Sequence, residues 1–142
     1  TLASFQAFHR DHKYLLMSKN QELYRDMGAL VSTTRKFNLQ ESLTGYQYKL
    51  YEILAFRTKR GHVKNVLDHI YGYFKKQITE DEKQHYIETV EEFYNGIIPL
   101  IAVIKILEQF VKHYGSDYLK TQVFFHPYPP ELALRSKINA YR

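Results

Sequence analysis

The sequence contains no cysteine and no tryptophan. Without thiols there are no disulfides, thiolate nucleophiles, iron–sulfur clusters or cysteine zinc sites. That absence is neutral about compartment, because a domain of this size can fold without disulfides. Glycine is sparse, and its six occurrences are isolated, so no phosphate-cradling glycine loop is present. No serine stands in a nucleophile elbow. The longest apolar run, Ile97 to Ile104 with Pro99 inside it, falls far short of the roughly 20 residues a membrane span needs. No signal peptide is visible, and a cytoplasmic location without membrane association is expected. The first residue is Thr1, which implies a chain that is trimmed, processed or cut from a longer protein.

What remains is enough for one domain over residues 1–142. A chain of this length buries about two-thirds of its unfolded surface and needs no staples. The net charge is +5, and its distribution says more than its total. Arg57, Lys59, Arg60, Lys64, Lys75 and Lys76 stand against the single acid Asp68. The next stretch sets Glu80, Asp81, Glu82, Glu88, Glu91 and Glu92 against Lys83 alone. Such neighbours can make a polarised surface that steers an anion. Two solvated helix faces that pair with each other meet the same pattern, and on charge alone that reading is preferred. Thirteen tyrosines and nine phenylalanines are a heavy aromatic load. Aromatic rings among lysines and arginines can stack on bases, but more often they form core and core rim.

Helical periodicity runs through most of the chain, and strand alternation is nearly absent. The pattern predicts an all-α compact bundle of six or seven helices around a central buried sixth helix. The first helix is expected over residues 2–17. Ser18 then caps a second, with Gln21 at the capping-box position. Asn38 caps a third, with Glu41 three residues on, carrying Leu39, Leu43, Tyr46, Leu50, Ile53 and Leu54 inward. The Thr58–Gly61 turn precedes a fourth helix to about Lys76. Thr79 and Glu82 form a capping box for the fifth, which Gly96 ends or bends. The sixth runs over about 98–114, with Pro99 in its first turn, an apolar first half and Gly115 as its stop. A shorter helix is expected over 117–125. His126-Pro127-Tyr128-Pro129-Pro130 breaks regular structure, and a short turn is expected from Leu132.

Two constellations can carry chemistry. On the fourth helix His62, Asn65, His69, Gly72, Tyr73 and Lys76 form one stripe, about 120° from the centre of the apolar face at ~100° per residue. A polar flank with one tolerated glycine explains that stripe. A groove in which Gly72 admits a ligand or another helix explains it too. His9 and His12 lie about one turn apart on the first helix, beside Phe5, Phe8 and Leu16. They are core-rim histidines, or they point with Lys13 into the same groove as His62 and His69. Four converging imidazoles can bind a metal. The spacings match no known metal motif and neither stripe contains a carboxylate, so no metal or other cofactor is expected.

Several segments bear a family resemblance. Phe8-His9-Arg10-Asp11-His12-Lys13, Leu16-Met17 and Tyr24 resemble the opening of the YbgA-like domain of unknown function. The segment from His62 to Phe74 is similar to that family's central His-x-x-Asn-Val-Leu-x-His-x-x-Gly-Tyr-Phe. Gly96, Pro99 and Leu100 resemble its Tyr-x-x-Gly-x-x-Pro-Leu, with Phe93 where the family has tyrosine and Tyr94 one place late. His126-Pro127, Pro130-Glu131-Leu132 and Arg135 resemble its C-terminal end. The resemblance implies a domain that stands alone or follows a cysteine-rich domain of the TudS type, which removes sulfur from thiouracil. It implies action on 4-thiouridine in tRNA by the fused protein, with the helical part holding the RNA. The desulfurising cysteines are absent from this chain.

Three readings follow. In the first, the chain is an accessory domain that binds RNA, with tRNA as the expected partner. Arg57, Lys59, Arg60, Lys64, Lys75 and Lys76 then contact phosphates, and His62, Asn65, His69 and Tyr73 contact a base or ribose. In the second, the same groove performs acid–base chemistry through His9, His12, His62 or His69. In the third, the domain is a scaffold or interaction surface. The resemblance and the basic turn both favour RNA.

Overall fold

The computed structural model describes residues 1–126. Among them the fold is all-α, with eight α-helices, two short 3-10 turns and no strand. The helices are α1 (Leu2–Asp11), α2 (Lys13–Lys19), α3 (Gln21–Thr33), α4 (Leu39–Leu54), α5 (Arg60–Tyr71), α6 (Glu80–Tyr94), α7 (Leu100–Tyr114) and α8 (Asp117–Lys120). The Pro127–Pro130 segment and the turn expected from Leu132 lie outside the described residues.

The extra helix comes from a break at His12, where the expected first helix divides into α1 and α2. The break is held from far along the chain. Gln122, just before the 3-10 turn Val123–Phe125, is almost fully buried. The Tyr14 N–H donates to its Oε1 at 3.3 Å, and its Nε2 donates to the Arg10 carbonyl at 2.7 Å. One amide therefore satisfies a donor at the head of α2 and an acceptor at the foot of α1, groups that helix ends leave orphaned. His12 closes the corner locally. Its Nδ1 donates to the Phe8 carbonyl at 2.7 Å, and its ring stacks on Phe8.

Breaking the helix lets α2 serve two cores. Tyr14 and Met17 join the core built from α5, α6, α7 and α8, while Leu16 joins Phe5, Met27, Tyr46 and Ile53 in a second core with α1, α3 and α4. Tyr24 touches both. The centre of the fold is thus shared. The helix at 100–114 buries Leu100, Val103, Ile104, Leu107, Phe110 and Val111, but Ile101 is 45% exposed, so its first half is one-sided rather than surrounded.

Caps explain several boundaries. The Thr79–Glu82 capping box forms as its pattern requires, with each backbone N–H received by the other residue's side chain. Gly115 ends α7 at φ +66°. Pro99 stands one place earlier than expected, at the N-cap of α7. Ser18 does not cap α3. It is buried within α2 and its Oγ donates to the Leu15 carbonyl, and Asn20 caps α3 by accepting from the Leu23 N–H at 2.8 Å. Asn38 precedes α4, but its Oδ1 accepts from the Arg35 N–H and closes the 3-10 turn Lys36–Asn38 instead.

Candidate functional site

The surface around α5 holds most of the sequence candidates, and the fold sorts them. Val63, Val66, Leu67 and Ile70 are fully buried, so the opposite face of α5 looks outward. His62 and His69 are exposed and Asn65 is half-buried. No hydrogen bond, ion pair or ring contact engages their side chains among the described residues. Spaced three and four apart, they form one row along the helix.

The stripe ends sooner than the helical wheel implies. α5 stops at Tyr71, and residues 72–78 continue as tight turns, with Phe74 N–H bonded to the Tyr71 carbonyl and Gln77 N–H to the Phe74 carbonyl. At Gly72 a Cβ would stand 3.2 Å from the His69 carbonyl oxygen. Its backbone is right-handed, at φ −54° and ψ −25°, so the turn itself does not require glycine. Tyr73 leaves the row. Its ring lies 6.4 Å from Tyr118 of α8. Burial and these neighbouring phenols raise the Tyr14 pKa, and Tyr118 is pushed up to about 12, first by burial and then by Tyr73 and Tyr24. Lys13 sits beside this cluster, its Nζ 5.4 Å from the centre of the Tyr14 ring.

His9 and His12 do not join the row. His9 is buried among α1, α3 and α4, with Nδ1 2.9 Å from the Tyr46 hydroxyl and its ring stacked on Tyr24. Burial, and secondarily the charge of His12, lower its pKa. His12 is spent on Phe8. Among the described residues no contact joins either histidine to His62, Asn65 or His69. Nor is any group of three or more His, Asp or Glu side chains among these residues arranged to hold a metal ion.

The six cations also separate. Arg60 reaches to the end of α6, where its Nη1 is 3.4 Å from the Tyr94 carbonyl and its guanidinium lies against Gly96. Gly96 has φ +78°, and a Cβ there would stand 2.9 Å from Nη2. Lys64 pairs with Asp68 one turn on, at 3.4 Å. Arg57 and Lys59 are exposed at the head of α5, and Lys75 and Lys76 are exposed beyond its foot, all without a charged partner among the described residues. A 12-residue helix spans about 18 Å, so head and foot are distinct patches.

No ion pair joins α5 to α6 among the described residues, contrary to the reading in which the two charged faces pair. The acids Glu80, Asp81 and Glu82 stand in the first turn of α6, where the helix dipole favours them. Glu82 is held below the usual carboxylate range by the Thr79 N–H and then by the Tyr114 hydroxyl. The head of α5 is the reverse case. Lys59 and Arg60 stand at a positive helix end, and the N-cap residue Lys59 makes no side-chain cap.

Pattern reading missed Tyr14, Tyr118 and Gln122, which act through partners distant in the chain, and for which no local signal exists. It also missed Tyr48 and Tyr51, three residues apart on the polar side of α4 and opposite Leu43, Tyr46, Leu50 and Ile53. That spacing was a usable signal.

Fold and site together define a small helical domain with a polar helix face and an uncapped, cationic helix head. The chain belongs to the family described as Protein of unknown function (DUF1722), whose model matches residues 13–129. It is similar to "Uncharacterized protein YbgA" of Escherichia coli (strain K12), 25% identical over 129 residues that cover 90% of this chain and 76% of that relative. No solved structure matches it. No helix among the described residues is long and apolar enough to cross a membrane.

Proposed function

We propose that this domain binds RNA, with tRNA as its natural partner, through the head and outer face of α5. The observation that carries the reading is the head itself. Arg57 and Lys59 are exposed and unpaired where the dipole of α5 and its uncapped N–H groups already favour negative charge. A phosphate relieves that arrangement, and an RNA backbone supplies phosphates in series. His62, Asn65 and His69 then face the sugar or base beside them. The YbgA-like resemblance supplies the context of 4-thiouridine in tRNA, in the cytoplasm, with sulfur removal left to the cysteines of a separate or fused domain.

In this reading Arg60 and Lys64 contribute less than Arg57 and Lys59, because each already has a partner in the fold. The test is tRNA affinity across a salt series. Replacing Arg57 and Lys59 together by alanine is expected to weaken binding to all RNAs alike. The slope of log affinity against log salt should flatten by about 0.7–0.9 for each phosphate that is no longer neutralised. Arg60→Ala should leave that slope nearly unchanged. A folded wild-type protein with no measurable affinity for tRNA at low salt would remove the reading.

A further inference from the structure

The solvent face of α4 is unusual for a folded domain. Tyr48 is 74% exposed and Tyr51 64% exposed, and Phe56 follows just beyond the helix at 41%. Most aliphatic residues of α4 turn inward: Ile53 is buried, and Leu39, Leu43 and Leu50 pack on the second core; Leu54, expected inward, is 45% exposed at the end of the helix, where no further turn follows to cover it. The surface therefore offers chiefly rings, in place of the Leu and Ile row with which a helix docks on another helix. Tyr51 is steadied, since Gln47 Nε2 donates to its hydroxyl at 3.1 Å. Tyr48 touches no other side chain through a hydrogen bond or ring contact among the described residues.

Arg57 and Lys59, the unpaired cations at the head of α5, follow these rings closely in the chain. Exposed aromatic faces beside free cations are what an unpaired strand requires. The cations take the phosphates, and each ring accepts a base of any identity through its π-face. A duplex keeps its bases stacked inside and cannot use the rings. Three residues of α-helix separate Tyr48 from Tyr51 by about 4.5 Å along the axis, which suits neighbouring bases. Glu41 and Glu52 share this face and repel phosphates, so the backbone belongs at the Arg57–Lys59 end and only bases reach the tyrosines.

We infer that Tyr48 and Tyr51 are a stacking platform for unpaired bases, so that this domain prefers single-stranded RNA, such as a loop or a 3′ end, over duplex. The inference rests on the RNA-binding reading above and specifies its ligand.

The experiment measures binding of a labelled single-stranded RNA 12-mer and of the same strand in a duplex, by anisotropy across a salt series. Tyr48→Ala and Tyr51→Ala are each expected to weaken single-strand binding by about tenfold or more, with the salt slope unchanged. Tyr48→Phe and Tyr51→Phe should bind like wild type, because the ring remains. The chain has no tryptophan, so Tyr48→Trp adds a single reporter whose fluorescence should be quenched by a stacked base. Both tyrosines are exposed, so circular dichroism should show the fold intact. RNA binding with a normal salt slope that the alanine variants leave unchanged would overturn this inference and spare the broader reading. Self-association of the wild type that the same variants abolish, with RNA binding unchanged, would assign the face to a second copy and also overturn it. If wild type binds neither strand form, both readings fall.

Discussion

Gln122 provides the sharpest test of how the fold is held. Among the described residues its amide satisfies both the Tyr14 N–H and the Arg10 carbonyl across the α1–α2 break. Gln122→Met keeps length and nearly keeps volume but removes both partners. Each buried polar group left unpaired costs about 1–3 kcal/mol. The 3.3 Å bond to Tyr14 belongs at the lower end of that range and the 2.7 Å bond to Arg10 higher, for a total of about 3 kcal/mol. At about 2–4 °C per kcal/mol, the melting temperature should fall by roughly 6–12 °C. Urea unfolding followed by circular dichroism measures the loss, and amide exchange should speed up at Tyr14 ahead of the α6 core. Gln122→Glu should be worse at neutral pH, because a carboxylate then faces the Arg10 carbonyl with no donor. Its deficit should shrink as pH falls, since a protonated carboxyl can donate. A loss below about 1 kcal/mol in Gln122→Met, with an unchanged m-value, would refute the claim that this amide holds the corner.

Two other changes test separate parts of the fold. Gly96→Ala forces a side chain into positive φ, at about 1–2 kcal/mol, and pushes the Arg60 guanidinium aside. Thermal melts of both single variants and the double variant should show less than additive loss, because Arg60→Ala removes the group that the new Cβ meets. His9 is held below its ordinary pKa of 6.5, chiefly by burial. The unfolded chain then takes up the proton first, so the His9 contribution to stability is complete above about pH 6.5 and is lost as pH falls toward the lowered value. Urea midpoints at about pH 7.5 and about pH 5 should differ less in His9→Gln than in wild type.

The parts of the fold that were legible in the sequence are those fixed by neighbours in the chain. Thr79 and Glu82 complete their box within one turn, and Gly115 needs only its own positive φ. The inward face of α5 follows from four apolar residues at helical spacing. The break at His12 was invisible because its cause, Gln122, stands 112 residues from Arg10. The helix wheel placed Tyr73 and Lys76 beside His69 only by extending a helix that ends at Tyr71. The histidines of α1 looked like partners for those of α5 because an amphipathic pattern says which residues face inward but not which neighbour they meet. Here α1 turns His9 to Tyr24 and Tyr46.

Those same contacts sharpen the case for the row on α5. Across the segment from His62 to Phe74 most side chains have a structural task. Val63, Val66, Leu67, Ile70 and Phe74 fill the first core, Lys64 pairs with Asp68, and Tyr73 meets Tyr118. His62, Asn65 and His69 have none among the described residues. Removing side chains that support nothing should cost little stability, within about 0.5 kcal/mol each. His62→Ala, Asn65→Ala and His69→Ala are therefore expected to melt like wild type, while altering the preference among RNAs at an unchanged salt slope. Asn65 is the sternest case, because it is half-buried. If Asn65→Ala instead unfolds about 2 kcal/mol more easily, its amide serves the fold, and the row shrinks to two exposed histidines a full two turns apart, too distant to grip one base.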